Sequence, residues 1–168
     1  MKKKKIPNPK RKIQIAIVAG VIIISLVILF NYNLDQVKIS GQNFGHDLAQ
    51  IQNDLKNETA DYDAKIIQYQ NGNITKRDIL QISDTHIAVL NDMLSKYNTL
   101  KPPGPFAPSL ELFRLSTQAQ LDSDKLLKEW IQTGDNSTKV RSDQLLEQAF
   151  NYEARALDSF NKAKTNSE

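Results

Sequence analysis

The chain is predicted to be all-α: an N-terminal transmembrane helix followed by an antiparallel up-down-up-down four-helix bundle. Three observations predict this. An uninterrupted apolar stretch, Ile13 to Phe30, follows a dense basic run. Beyond it, apolar residues recur at spacings of three and four, the period of an amphipathic helix, and strand-like alternation is hard to find. Turn signals at Asn71-Gly72, at Pro102-Pro103-Gly104-Pro105 and at Gly134-Asp135 divide that region into four segments of similar length.

The apolar stretch carries no charge, and Gln14 and Ser25 are its only polar side chains. Crossing a hydrocarbon core of about 30 Å takes roughly 20 residues, which Asn31 and Tyr32 complete at the interface. A soluble helix seldom runs apolar on every face for so long. Lys2, Lys3, Lys4, Lys5, Lys10, Arg11 and Lys12 precede the span, while Lys38 is the only basic residue in the twenty that follow. That asymmetry predicts a single-pass signal-anchor in the cell membrane, with the N-terminus cytoplasmic and the C-terminal domain extracytoplasmic. A cleaved signal peptide needs small residues at its cleavage site, and the segment after the span, Phe30 to Ser40, has no such pattern. The expected organisation is a basic tail over 1–12, an anchor over 13–32, a stalk over 33–42, a bundle over 43–164 and a disordered end over 165–168.

The net charge of +3 belongs to the tail. Residues 13–168 carry 15 basic against 19 acidic side chains, which excludes a nucleic-acid footprint on the folded part. Cysteine is absent, and with it disulfides, thiolate metal sites, thiol nucleophiles and a lipid-modified anchor.

In the first bundle segment, Phe44, Leu48, Ile51, Leu55, Tyr62, Ile66 and Tyr69 follow a coiled-coil-like seven-residue repeat, broken only by Glu58. The second segment opens with a capping box, Thr75 and Asp78, and carries Ile79, Ile82, His86, Leu90, Met93, Tyr97 and Leu100. The prolines that follow remove amide donors and restrict the residues before them, so the chain turns there and Pro108 enters the next helix. The third stripe is Leu110, Phe113, Thr117, Leu121, Leu127 and Ile131, ending at Gly134 in a left-handed cap. The fourth is Leu146, Phe150, Glu153, Leu157 and Phe160, with Ala149, Ala154 and Ala156 permitting close approach. Each helix is expected to run about 26 to 28 residues, or roughly 40 Å at about 1.5 Å per residue. With short loops the order is up-down-up-down, the proline turn lying near the bilayer and the loops at 71–74 and 134–137 pointing away.

The stretch Tyr97-Asn98-Thr99-Leu100-Lys101-Pro102-Pro103, the helix Leu110 to Trp130, the Thr133-Gly134-Asp135 turn and the closing Ala- and Phe-containing helix resemble prokaryotic membrane-anchored or secreted helical-hairpin proteins of unknown function. The resemblance covers about residues 90–163 and consists of turn signals. It implies a hairpin in an extracytoplasmic setting and assigns no catalytic or binding residue.

No nucleophile elbow, phosphate-binding loop, dinucleotide fingerprint or zinc-protease motif occurs, so no enzyme activity, metal site or cofactor is predicted. Candidate ligand or partner contacts are His86, Tyr97, Glu153, Phe106 and Trp130. His86 lies on an apolar stripe, where a satisfied histidine is the plain reading, and Glu-x-x-His pairs suited to a bundle metal site are missing. Glu153 is expected to pair with Arg114 or with His86. Phe106, in the turn, is a candidate for dipping into the membrane interface, and Trp130 for anchoring a partner or capping the core. Asn57, Asn73 and Asn136 begin N-x-S/T sequons, candidate glycosylation sites. The expected role is a non-enzymatic membrane-anchored module that binds a protein partner or self-associates, as an accessory subunit or envelope component. The alternative is a small-molecule or metal-sensing domain working with a separate partner.

Overall fold

The computed structural model describes residues 39–165. The tail, the anchor, the stalk up to residue 38 and residues 166–168 lie outside the described residues. Among those described, the chain is all-helical: α1 (Ile39–Gln70), α2 (Lys76–Tyr97), a 3₁₀ turn (Gly104–Phe106), α3 (Ala107–Thr133) and α4 (Asn136–Thr165). None of these helices is long and apolar enough to cross a membrane.

Local chemistry sets most of the ends. The Asn73 amide reaches the Gln68 carbonyl at 2.9 Å and Gly72 sits at φ 77°, the Schellman geometry that closes a helix through a left-handed glycine. The capping box opens α2, with the Asp78 amide donating to Thr75 Oγ1 at 3.2 Å and the Thr75 amide donating to Asp78 Oδ2 at 3.3 Å. Gly134, at φ 78°, closes α3 through its amide to the Trp130 carbonyl at 2.8 Å. Asp135 then caps α4 by accepting from the Ser137 amide at 2.8 Å. Those hydrogen bonds to Ser137 hold the Asp135 carboxyl below its ordinary pKa.

The helices span 32, 22, 27 and 30 residues rather than the equal lengths expected. α2 is the shortest because the amides of Asn98, Thr99 and Leu100 turn back in i→i−3 bonds at 3.0 to 3.2 Å ahead of the prolines. α1 is the longest: it starts within the expected stalk and continues through Gly45, where burial of Phe44 and Leu48 outweighs the roughly 1 kcal/mol helix cost of glycine.

Cross-bundle bonds define an antiparallel order. Tyr62 meets Ser83 near one end of the α1–α2 pair, and Gln52 meets Tyr97 near the other. Between α2 and α3, Lys76 donates to the Gln132 carbonyl and Tyr97 meets Thr117. Between α3 and α4, Ser116 donates to the Ala149 carbonyl and Ser123 to the Ser142 carbonyl, both at 2.8 Å. This last pair is the closest-packed. Ser109, Ser116 and Ser123 on α3, and Ser142, Ala149, Ala156 and Ala163 on α4, recur every seven residues and are all buried. Small side chains let the two backbones approach and bring serine hydroxyls to carbonyls of the neighbouring helix.

The α4 stripe is therefore turned from the one expected. Ala149 and Ala156 are buried, Leu146 and Phe150 only half so, and Ala154 is exposed. Apolar packing forms three clusters along the bundle. Phe44, Leu48, Phe106, Phe113, Leu157 and Phe160 fill the end where the proline turn lies. Leu55, Leu90, Met93 and Leu121 fill the middle, and Tyr62, Ile66, Ile79, Leu127 and Ile131 the end with the two short loops.

Candidate functional site

The stripes of α1, α2 and α3 are each interrupted by a titratable residue at the same height, and the fold brings the three together. His86, 1 % exposed, sits between Glu58 of α1 and Asp124 of α3. Its Nδ1 lies 2.8 Å from Glu58 Oε1 and its Nε2 3.1 Å from Asp124 Oδ2. The ring stacks on Tyr62, with centroids 4.0 Å apart and planes 9° from parallel. The Tyr62 hydroxyl reaches Ser83 Oγ at 2.9 Å, and Ser83 donates in turn to the Ile79 carbonyl at 2.8 Å.

Carboxylates only accept, so an imidazole facing one through each nitrogen is satisfied only with a proton on both contacts. Burial works against a charged His86, yet the hydrogen bonds and charges of Asp124 and Glu58 raise its pKa above the ordinary value. Burial also pushes the Asp124 carboxyl up, only partly offset by His86. Both shifts act to retain one proton at the His86–Asp124 contact, while Nδ1–H donates to Glu58.

A second network lies nearer the proline turn. Gln52 Nε2 donates to the Tyr97 hydroxyl at 2.5 Å, Tyr97 donates to Thr117 Oγ1 at 3.1 Å, and Thr117 donates to the Phe113 carbonyl at 3.2 Å. Burial, reinforced by the charge of Glu153 and opposed by Thr117 and Gln52, raises the Tyr97 phenol well above its ordinary pKa. Between the two networks Gln120 of α3 donates to Thr59 of α1 at 2.7 Å. Among the described residues no buried side-chain nitrogen or oxygen lacks a partner.

The residues singled out in the sequence thus fall in different places. His86 and Tyr97 are buried in separate networks. Glu153 is buried on α4, close enough to act on Tyr97. Arg114 forks onto Glu111 at 2.6 and 2.9 Å, and both His86 nitrogens face other carboxylates. Phe106 is not free to enter an interface: it is 4 % exposed and packs on Phe44 and Phe160, because the 3₁₀ turn folds it back over the end of the core. Trp130 is half-buried beside the Ile79–Ile131 cluster, with the Lys139 ammonium 5.8 Å from its ring centroid. Asn57, Asn73 and Asn136 are exposed, the first within α1, the second in a loop and the third at the start of α4.

Sequence reasoning missed Asp124, Gln52, Thr59 and Gln120. The signal for Asp124 was the unfilled inward position between Leu121 and Leu127, at the height of Glu58 and His86. Chemically the arrangement is a closed ionic cluster. Glu58 and Asp124 face opposite nitrogens of one ring and do not converge on a common ion, and among the described residues no group of three His, Asp or Glu is placed to hold a metal. A shallow depression of about 480 Å³ lies elsewhere, lined by Pro105, Leu112, Arg155, Asp158, Ser159 and Lys162, and touches neither network. No protein-family model, curated protein or solved structure matches the chain.

Proposed function

We propose that the chain is a membrane-tethered, non-enzymatic helical module, a single-pass protein whose extracytoplasmic four-helix bundle works through its outer surface on a protein partner. The observation that carries this reading is the self-sufficiency of the candidate site. Both ring nitrogens of His86 and the hydroxyls of Tyr62, Tyr97 and Thr117 are occupied by groups of the bundle itself. One face of the His86 ring is covered by Tyr62, and the residue as a whole is buried from solvent. Function is then left to the exterior and to the anchor. The membrane part of the reading is supported by the basic residues 2–12 followed by the uncharged stretch Ile13 to Phe30.

Topology is tested with single cysteines, which the natural chain lacks. Asn73→Cys and Asn136→Cys react with a membrane-impermeant maleimide on intact cells, and Lys3→Cys reacts only after permeabilisation; the reverse pattern overturns the topology. Partnership is tested by mild-detergent extraction of the full-length protein, mass spectrometry of the co-purifying chains and metal analysis of the same sample. A stoichiometric protein partner supports the module; a lone chain carrying a metal or small molecule overturns it.

A further inference from the structure

We propose that Glu58, His86 and Asp124 form a one-proton latch that holds α1 on the rest of the bundle and loosens it when that proton leaves. The geometry requires two hydrogens on the two His86 contacts, one at 2.8 Å to Glu58 and one at 3.1 Å to Asp124. A neutral imidazole between two ionised carboxylates supplies only one. Whichever tautomer it takes, a ring lone pair then faces a carboxylate across hydrogen-bond distance, out of water.

The contact that yields is the one on α1. The Glu58 side chain is 29 % exposed and that of Asp124 11 %, so Glu58 turns toward water at less cost while the remaining Nε2–H donates to Asp124. Asp124 also belongs to the firmly held side, because its neighbour Ser123 is bonded to Ser142 on α4. α1, by contrast, depends on polar bridges along its length: Gln52 to Tyr97, Thr59 to Gln120 and Tyr62 to Ser83. Loss of the Glu58 contact removes a bridge and leaves the Tyr62 stack as what α1 still offers the His86 ring.

The groups around the ring agree with this. α1 presents Glu58 and Tyr62, and α3 presents Asp124. On the adjacent surface, Lys128 of α3 is paired with Asp84 of α2 and is not available to replace the lost proton's charge. The buried carboxyl of α4, Glu153, acts on Tyr97 rather than on His86. α1 is also the described helix nearest in sequence to the apolar segment Ile13 to Phe30.

The test is hydrogen exchange with mass spectrometry on the full-length protein in detergent micelles, from pH 6 to 9.5, with rates normalised for base catalysis. Peptides over residues 52–66 should lose protection as pH rises, by about tenfold for each unit by which folding raises the imidazole pKa, while peptides over 142–160 keep theirs. His86→Gln should abolish the pH dependence over 52–66. Should that variant not fold, Glu58→Gln serves instead: with one carboxylate neutralised the ring binds its proton less tightly, and the midpoint moves to lower pH. Normalised protection over 52–66 that is flat to pH 9.5, a parallel loss over 142–160, or an unmoved midpoint in Glu58→Gln overturns the latch.

Discussion

α3 and α4 meet through serine and alanine at every seventh position, whereas α1 meets α2 and α3 through large apolar side chains interspersed with polar bridges. In the first interface, close approach puts hydroxyls of Ser116 and Ser123 on the carbonyls of Ala149 and Ser142, and dense van der Waals contact follows. In the second, Gln52, Glu58, Thr59 and Tyr62 each require one partner side chain at one place. The difference teaches that one bundle can join a close-packed helix pair, whose stability depends on volume, to a helix whose docking depends on charge and protonation. Buried polar bridges contribute little net stability against an apolar core, but a missing partner is costly.

The largest break in this comparison is expected from His86→Leu, which leaves Asp124 buried without its counter-charge. A loss of about 3 kcal/mol is expected, the lower end of the range for breaking a buried ion cluster, because Glu58 keeps some contact with water. Urea denaturation followed by circular dichroism measures it. Replacing all three residues with leucine should recover most of that loss; a triple variant as weak as the single one would show that the cluster stabilises the fold outright. Next comes Ala156→Leu on the other interface, where a side chain that is 0 % exposed has no room to grow. About 2 kcal/mol of overpacking is expected in the same assay, with no change in pH dependence.

A smaller effect comes from pH alone. The folded pKa of His86 is raised, so its stabilising contribution is complete below about 6.5, the unfolded value, and is lost as pH rises through the folded one. The raised Asp124 carboxyl acts with the same sign, since the folded chain keeps a proton that the unfolded chain has released. The urea midpoint should therefore fall between pH 6 and 9 in the natural chain and stay level in the triple leucine variant. Ser123→Ala should cost about 1 kcal/mol, one buried hydrogen bond to a carbonyl, and sharpen the account of α3–α4. The smallest change, Lys139→Met, should cost about 0.5 kcal/mol and alter the fluorescence of the single tryptophan, Trp130, whose ring it faces.

Much of this was legible before folding. The inward positions of α1 from Phe44 to Ile66, the Thr75–Asp78 box and the Gly134 cap all stand where periodicity and capping chemistry put them, because each depends on residues within a few positions along the chain. Glu58 and His86 were visible as polar interruptions of apolar stripes. That they share Asp124 was not, since His86 lies 28 residues from one partner and 38 from the other. The serine repeat at 109, 116 and 123 was hidden for another reason: serine reads as a surface residue until a close neighbouring helix offers its carbonyls.

The sequence by itself determined helix type, the turns and most of the inward faces, because backbone hydrogen bonding, caps and hydrophobic period are local. Only the tertiary structure decided the rotation of α4 onto Ala149 and Ala156, the return of Phe106 into the core and the meeting of three titratable groups at His86. Those depend on the depth and register at which whole helices pack, which side-chain volume settles once the helices are brought together.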